Sequence, residues 1–294
     1  MKKWLIIAGI LAAGLVLLAW AGNRWLMVTH YTISSPGVPE AFDGARIVQI
    51  SDLHSATFGE GQSAILERTA AAGPDVIFVT GDIVDSARYN LETALTLMEG
   101  LTEIAPVFFV TGNQEISKDR IRQHMAALQE LDLTVLENEL VEWTRGGETI
   151  HIAGIHDPLL DASYYDPLPE VTVTDPEVEY AERAAGYVRQ SLEEIDFTDT
   201  FTLLLAHRPE MADLYAEAGS DVVFSGHAHG GQIRIPGIGG LFAPGQGFFP
   251  ELTEGVHEFG DTRLVISRGI GNSSFPLRIN NRPEIVVVTL EYES

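Results

Sequence analysis

The chain of 294 residues contains no cysteine. This absence excludes disulfide bonds, thiolate zinc sites, cysteine nucleophiles and a bacterial lipoprotein anchor. It leaves the redox compartment open, because a protein without thiols tolerates oxidising and reducing surroundings alike. The sequence also lacks an internal repeat at a period typical of solenoid proteins, so we expect a globular architecture.

Basic residues are scarce as well. The sequence has 18 Lys and Arg against 42 Asp and Glu, which gives a formal net charge of −24. Such a chain would repel a polyphosphate backbone, so nucleic acid is excluded as a partner. A small phosphate ester is still compatible with this charge, because bound metal ions dominate the field inside a site. Hydrophobic residues make up 45% of the chain, enough for a sizeable core.

The amino terminus carries a long uncharged segment over residues 4–21. Its length is near the minimum for crossing a hydrocarbon core of about 30 Å. Trp4 and Trp20 lie at its two ends, where interfacial aromatic residues are common in membrane helices. Lys2 and Lys3 predict that the amino end stays in the cytoplasm and that the rest of the chain is exported.

The competing interpretation is a cleaved signal peptide, since residues 19–21 (Ala-Trp-Ala) fit the small-x-small cleavage pattern. We favour the retained, single-pass anchor in the cell membrane because of the two interfacial tryptophans. The sequence therefore predicts an anchor or signal peptide over residues 1–22 and a linker with an edge strand over residues 23–44. One domain is predicted over residues 45–294.

Three apolar strands are predicted over residues 46–51, 75–80 and 106–111, each followed by polar residues and then a helix. Continuous apolar strands that alternate with helices predict a parallel sheet covered on both faces. The second half of the chain is richer in antiparallel strands, which predicts a second sheet packed on the first. The fold class is therefore α/β, and ligands of such sheets bind beyond the carboxyl ends of the strands.

Seven polar residues follow the carboxyl ends of five predicted strands. They are Asp52, His54, Asp82, Asn113, His207, His227 and His229. Carboxylate, imidazole and amide groups without thiolate favour Mn²⁺, Fe or Zn²⁺, and disfavour an all-oxygen calcium site. Seven ligands exceed the four of one tetrahedral site, so two divalent ions sharing a carboxylate are the simplest solution, with manganese favoured.

Each of these motifs alone has a plainer interpretation. Asp52 and Asp82 could merely cap the following helices. His207 could be a turn residue, because Pro209 follows closely. The pair His227-x-His229 is weak evidence when taken alone.

Arginines and one loop are candidates for contacts with a substrate. Arg208, Arg234, Arg268 and Arg278 could grip a phosphate by charge, although ordinary surface salt bridges explain them equally well. The loop of residues 236–250 sets Leu241, Phe242, Phe248 and Phe249 among glycines. Either these side chains fold onto the core, or they form an apolar lip that touches a bilayer or an acyl chain.

The motifs as an ordered set resemble the calcineurin-like metallophosphoesterases. They are Asp52-x-His54, Gly81-Asp82-x-x-Asp85, Gly112-Asn113-Gln114-Glu115, His207 and Gly226-His227-x-His229. Residues 230–234, 267–269 and 276–285 are similar to the membrane-anchored YkuE-like branch of that family. The resemblance runs from about residue 45 to the carboxyl terminus and implies a four-layer α/β/β/α sandwich.

The resemblance also implies an activity and a ligand set. The activity is hydrolysis of a phosphomonoester, phosphodiester or pyrophosphate by a hydroxide held between two ions. The substrates include lipid-linked and cell-envelope-linked phosphates. One ion would take Asp52, His54, Asp82 and His229. The other would take Asp82, Asn113, His207 and His227, with Asp82 bridging the two. Asp85 is expected to be a loop acid that supports the site rather than a ligand.

Gln114 departs from the family pattern, which usually has histidine at this position. That histidine is thought to steady the charge developing on phosphorus or to protonate the leaving group. Glutamine can donate a hydrogen bond but cannot give up a proton at neutral pH. Losing such an acid typically costs about 10²–10⁴-fold in rate, unless the leaving group is already stable. Asn113 and Gln114 are the predicted catalytic residues, and a low-turnover metal- or phospholipid-binding surface protein is the alternative function.

Overall fold

A computed structural model describes residues 2–116, 121–159, 176–273 and 275–293 of the chain. Its helices include α1 (Lys2–Arg24), α2 (Ser63–Ala72), α3 (Leu91–Thr102), α4 (Asn113–Ile116), α5 (Ile121–Leu128), α6 (Pro176–Glu193) and α7 (Ala212–Ala218). Its strands include β1 (Met27–Ser35), β2 (Arg46–Ile50), β3 (Val76–Val79), β4 (Val107–Phe109), β5 (Thr134–Val135), β6 (Glu139–Arg145), β7 (Glu148–Gly154), β8 (Thr202–Leu205), β9 (Val222–Ser225), β10 (Arg234–Ile235), β11 (Gly239–Gly240), β12 (Phe242–Ala243), β13 (Gly247–Phe248), β14 (Gly255–Phe259), β15 (Thr262–Ile266) and β16 (Glu284–Tyr292).

The strands form two six-stranded mixed sheets. Sheet 1 has the order β1-β16-β2-β3-β4-β5, and sheet 2 has the order β14-β15-β9-β8-β7-β6. Strands β2, β3, β4 and β5 run parallel in sheet 1, while β16 is antiparallel to β2. In sheet 2 the parallel strands are β7, β8, β9 and β15, with antiparallel β6 and β14 at the two edges. Each sheet therefore has a parallel centre whose strand ends converge at one edge.

Three buried apolar clusters show how the sheets and helices are layered. One cluster joins sheet 1 to α2 and α3, through residues such as Val79, Ile65 and Leu97. A second lies between the sheets, where the rings of Phe78 on β3 and Phe224 on β9 meet with centroids 4.9 Å apart. The third joins sheet 2 to α6 and α7. Helices, sheet, sheet and helices thus follow one another, so the expectation of two packed sheets is confirmed.

The three predicted strand–helix units are present in sheet 1. Strands β2, β3 and β4 fall within the predicted ranges, and every residue of β3 is buried. This burial on both faces explains the continuous apolar run that replaces the alternation of a half-exposed strand. Helix α3 begins after Asn90, whose side chain accepts a hydrogen bond from the Thr93 N–H as an N-cap.

The amino-terminal helix differs from the expectation. No helix in the described part of the chain combines the length and the apolar character needed to span a membrane. The predicted transmembrane anchor over residues 1–22 is therefore not supported. The carboxyl end of α1 instead packs on the folded domain, because Asn23 accepts a hydrogen bond from Asn272 and the Gly22 backbone closely approaches the Arg278 carbonyl. The chain then enters β1, the edge strand of sheet 1.

The packing between the sheets gives a stability prediction. Phe78→Ala removes a fully buried ring at their interface, and we expect it to lower the free energy of unfolding by about 3–5 kcal/mol. Phe248→Ala is the matched control, because Phe248 is 72% exposed and its loss should change stability by less than about 0.5 kcal/mol. Urea unfolding followed by tryptophan fluorescence measures both values. Equal effects of the two changes would contradict the layered packing.

Candidate metal centre

Six of the predicted ligands meet at the carboxyl ends of the central strands of both sheets. Donor atoms of Asp52, His54, Asp82 and His229 form one group, and those of Asp82, His207 and His227 form another, each spanning no more than 4.8 Å. The first group combines the ends of β2 and β3 with the turn after β9. The second group adds the end of β8. The site therefore lies where the parallel centres of the two sheets adjoin.

One oxygen of Asp82 belongs to both groups. Its Oδ2 lies 3.5 Å from Nε2 of His54 and 3.4 Å from Nε2 of His207. All three side chains are almost completely buried. An oxygen placed between two sets of nitrogen donors is the arrangement that a bridging carboxylate requires.

The spacing of the nitrogens fits metal ions. Nε2 of His54 lies 3.0 Å from Nε2 of His229, and Nδ1 of His227 lies 3.2 Å from Nε2 of His207. Two nitrogens bound to one ion at about 2.1 Å lie about 3.0–3.4 Å apart in octahedral or tetrahedral geometry. Oδ1 of Asp52 lies 3.4 Å from Nε2 of His229, which adds a carboxylate to the first group. The donors present therefore fit two divalent ions.

Asn113 and Gln114 open the short helix α4 beside Asp82. Oδ1 of Asn113 is buried and has no hydrogen-bond partner among the described residues, as expected of an oxygen reserved for an ion. The backbone N–H of Gln114 donates to Oδ1 of Asp82 over 2.8 Å. Its side-chain oxygen accepts from the Ser86 N–H, so the amide is directed toward the loop after β3.

The backbone of the ligands is unusual. Asp52, His54, Asp82, His227 and His229 have φ angles of +53°, +49°, +54°, +63° and +49°. Residues other than glycine rarely adopt this left-handed region, and such residues cluster at functional sites. The strands thus end in sharp turns that direct consecutive polar side chains into one pocket.

Two glycines next to the ligands are required by close packing. A Cβ atom at Gly112 would overlap Oδ1 of Asp82, and one at Gly226 would overlap both Oγ of Ser51 and Oδ2 of Asp52. The Gly-Asn and Gly-His pairs therefore let a strand end approach a carboxylate of the neighbouring turn.

Three of the four histidines have a carbonyl or carboxylate oxygen near the nitrogen that faces away from the pocket, and that of His207 forms a hydrogen bond. Nδ1 of His54 lies 3.3 Å from Asp85, and Nδ1 of His207 lies 2.7 Å from the Thr80 carbonyl. Nε2 of His227 lies 3.8 Å from the carboxylate of Glu210, which is too long for a hydrogen bond. Such acceptors fix the ring orientation and the tautomer of a metal-binding histidine. Asp85 thus supports His54, as the sequence suggested.

His229 is the exception, because its outer nitrogen faces a donor. Nη2 of Arg278 lies 3.3 Å from Nδ1 of His229, and the arginine is fully buried. A guanidinium only donates hydrogen bonds, so Nδ1 accepts here and the ring proton of a neutral His229 lies on Nε2. Binding an ion through Nε2 requires that proton to leave or to move.

Burial and the neighbouring carboxylates shift the pKa values of the histidines in the pocket. Burial lowers the pKa of His54, but hydrogen bonds to Asp52 and Asp85 outweigh it and raise the pKa to about 9. Burial likewise opposes protonation of His207, yet the charges of Asp82 and Asp52 raise its pKa to about 10. For His229 burial dominates and the pKa falls well below its ordinary value. The ligands near the carboxylates thus hold protons that metal ions would replace.

Glu115 connects the turn after β3 to the turn after β4 through hydrogen bonds to their backbones. Its carboxylate accepts backbone hydrogen bonds from Asp82, Val84 and Gly112 over 2.8, 3.2 and 2.7 Å. Burial and the negative charge of Asp82 raise the pKa of this carboxyl to about 7, although the three N–H donors oppose the shift.

The other candidates lie elsewhere. Arg234 and Arg268 both form ion pairs with Glu254, so each is already engaged by an acid. In the loop of residues 236–250, Phe242, Phe248 and Phe249 are exposed rather than folded onto the core. Contact of this loop with a bilayer stays a prediction.

Several contributors to the site escaped the sequence reasoning. Glu210 carries no motif that marks it, and only the fold brings it near His227. Arg208, which the sequence offered as a phosphate grip, instead forms a buried ion pair with Asp157. Glu115 belongs to the motif Gly112-Asn113-Gln114-Glu115, but the sequence did not predict that it accepts hydrogen bonds from three backbone groups.

Comparisons with known proteins show what this chain is similar to. The sequence model of the calcineurin-like phosphoesterase family matches residues 45–231, which include all seven predicted ligands. The uncharacterized metallophosphoesterase YkuE of Bacillus subtilis is 28% identical over 268 residues, 90% of this chain and 85% of that protein. Phosphodiesterase YaeI of Escherichia coli is 26% identical over 252 residues, 83% and 82% of the two chains. The structure of phosphopantetheinyl hydrolase from Mycobacterium tuberculosis aligns with a TM-score of 0.47 at 15% identity, over 76% of this chain and 89% of that one.

The close approach at Gly112 predicts a loss of metal without loss of a ligand. In Gly112→Ala the new methyl group displaces the Asp82 carboxylate, so we expect fewer than one ion per chain instead of two. Gly186→Ala is the matched control, because within the described residues nothing outside the backbone of α6 lies within 4 Å of its Cβ position. Elemental analysis after dialysis against Mn²⁺ counts the ions. Two ions in both variants would contradict the packing argument.

Proposed function

Because the chain belongs to the calcineurin-like phosphoesterase family, we propose that this metal-dependent hydrolase cleaves a phosphomonoester, phosphodiester or pyrophosphate with two divalent ions. Manganese is the proposed native metal, with iron and zinc as alternatives, since the donors are imidazole, carboxylate and amide groups. Residence of the catalytic domain outside the cytoplasm stays a prediction from the basic amino terminus.

One observation carries the proposal: Oδ2 of Asp82 lies within 3.5 Å of histidine nitrogens from both donor groups. Asp52, His54 and His229 would hold one ion together with Asp82. Asn113, His207 and His227 would hold the other. When bound, two such ions lower the pKa of a water nucleophile and neutralise charge on the phosphate oxygens.

The residues of the chain position this chemistry. Glu115 and the Gln114 N–H fix the Asp82 turn, while the Thr80 carbonyl orients the imidazole of His207 and Asp85 faces that of His54. Gln114 adjoins the pocket and can donate a hydrogen bond to a phosphate oxygen, but it cannot supply a proton. We therefore propose that catalysis rests on charge neutralisation and is fastest for stable leaving groups.

Removing the shared carboxylate tests the two-ion assignment. Asp82→Ala should leave the protein with no tightly bound ion, because each donor group loses an oxygen that no neighbour replaces. Asp261→Ala is the control, since Asp261 is exposed in the turn between β14 and β15. Calorimetric titration with Mn²⁺ should give two sites for the control and none for the variant. Retention of two sites by Asp82→Ala would refute the bridging role.

Restoring an acid at position 114 tests the effect of glutamine. Gln114→His should raise kcat for an alkyl phosphodiester by about 10²–10⁴-fold, because a poor leaving group needs a proton. The rate for bis(p-nitrophenyl) phosphate should rise far less, since p-nitrophenolate leaves without one. Bound metal with no turnover of either substrate, in the native protein and in the variant, would favour a binding role for the site.

A further inference from the structure

A cleft of about 400 Å³ opens beside the metal centre, and His54 forms part of its wall. The cleft lies between the carboxyl end of α1, the turn after β2 and the segment that follows β15. Arg24 and Asn23 line it from α1, and Arg88 and Asn272 line it from the domain. Its volume accommodates a phosphate group and part of an attached alcohol or nucleoside.

The charge of this cleft contrasts with that of the whole chain. The described residues that line it include two arginines and no acidic residue. Acids outnumber bases by 42 to 18 in the sequence, so a concave surface with only positive charge marks a place for an anion. Arg88 also pairs with Asp85, but the described lining of the cleft leaves its outer face without an acid, whereas Arg234 and Arg268 pair with Glu254 outside the cleft.

The two guanidinium groups are held in place by the protein. Nη2 of Arg88 lies 2.8 Å from Asp85 and also donates to the carbonyls of Asn272 and Ser273. Nη1 of Arg24 donates to the Thr57 carbonyl over 2.7 Å, and the group lies over the Phe58 ring at 5.9 Å. A guanidinium has five N–H donors, so each arginine keeps donors beyond these contacts. Groups fixed in this way lose little entropy when they bind an anion.

Asp85 links the cleft to the metal centre. One carboxylate oxygen, Oδ2, lies 3.3 Å from Nδ1 of His54 and 2.8 Å from Nη2 of Arg88. The metal ligand and the arginine of the cleft thus contact the same carboxylate oxygen, which accepts a hydrogen bond from the arginine. An anion in the cleft therefore lies close to a phosphate held by the ions.

From this geometry we infer that the substrate is a pyrophosphate, whose leaving phosphate occupies the cleft of Arg24 and Arg88. The inference rests on the proposed hydrolase function and names its substrate class. It also fits Gln114, because a phosphate monoester has a second pKa near 6 and leaves at neutral pH without a donated proton. A glutamine at position 114 then carries no penalty in rate.

The reaction balances as a hydrolysis of the phosphoric anhydride. The oxygen of one water forms a bond to the phosphorus at the metal centre, and the bond from that phosphorus to the bridging oxygen breaks. The departing phosphate keeps the electron pair of the broken bond and binds to the arginines. The protons of the water pass to solvent or to the product phosphates, so no oxidant or further reactant is needed.

Two arginine substitutions in the full-length, Mn²⁺-loaded protein test the inference. Diadenosine 5′,5′-pyrophosphate and bis(p-nitrophenyl) phosphate serve as substrates, because only the first has a second phosphate. Arg24→Gln and Arg88→Gln should each raise KM for the pyrophosphate about tenfold more than KM for the diester, as expected for one charge-assisted hydrogen bond. Arg24→Lys and Arg88→Lys, which keep the charge, should recover part of this difference.

Arg263→Gln is the matched control, because Arg263 on β15 pairs with Glu258 on β14 and lies outside the cleft. It should change neither KM. Thermal melting of each variant separates loss of an anion contact from unfolding. Equal effects of the Arg24 and Arg88 changes on both substrates, or a wild-type kcat/KM that favours the diester, would overturn the inference and leave the hydrolase function intact.

Binding provides a readout that does not depend on turnover. Calorimetry with imidodiphosphate, a pyrophosphate analogue with a nitrogen bridge, should give about tenfold weaker binding in the Gln variants, while binding of inorganic phosphate changes less. If no ester is hydrolysed, the proposed function fails, and this titration still decides whether the cleft binds the second phosphate. Imidodiphosphate binding that is unchanged in both variants would refute the cleft assignment.

Discussion

The structure depends on one shared contact, in which Oδ2 of Asp82 faces imidazole nitrogens from both sheets at 3.4 and 3.5 Å. His54 comes from the end of β2 in sheet 1, and His207 comes from the end of β8 in sheet 2. The polar links between the sheets support this contact. Gln49 is fully buried and bonds to both Thr80 and the Ser225 carbonyl, while His207 bonds to the Thr80 carbonyl. The apolar interface and the polar site therefore require the same alignment of the two sheets.

The site concentrates features that would destabilise an ordinary domain. Buried carboxylates and imidazoles lie within 4.8 Å of one another, and five of the ligands have left-handed backbone angles. Burying charges is costly unless they are paired or bind metal ions. The surrounding acceptors and the backbone donors to Glu115 and Asp82 offset part of this cost, and two bound cations would offset more. The strain thus has a chemical use, since it directs groups on consecutive turns toward the same ions.

The arginines around the site differ in what they contact. Arg278 is buried against His229, and Arg24 and Arg88 line the open cleft, while Arg234 and Arg268 are paired with Glu254. Arginines in a strongly acidic chain therefore differ in what they can bind. Arg24 and Arg88 line a cleft whose described lining contains no acid, although Arg88 also pairs with Asp85, whereas Arg234 and Arg268 pair with Glu254 outside that cleft.

The sequence by itself determined the strands β2, β3 and β4, the helices between them and the candidate metal donors, because buried strands and glycine-flanked turns leave local patterns. Family membership followed from the same ordered motifs. The sequence did not determine the role of Arg24, Arg88, Glu210 or Arg278. These residues come from separate parts of the chain, and no local pattern shows what each of them contacts. An uncharged run over residues 4–21 predicted a membrane anchor that the structure does not support. Tertiary packing alone decided which oxygen of Asp82 is shared and which arginines face a ligand, because distances between remote residues depend on how the two sheets align.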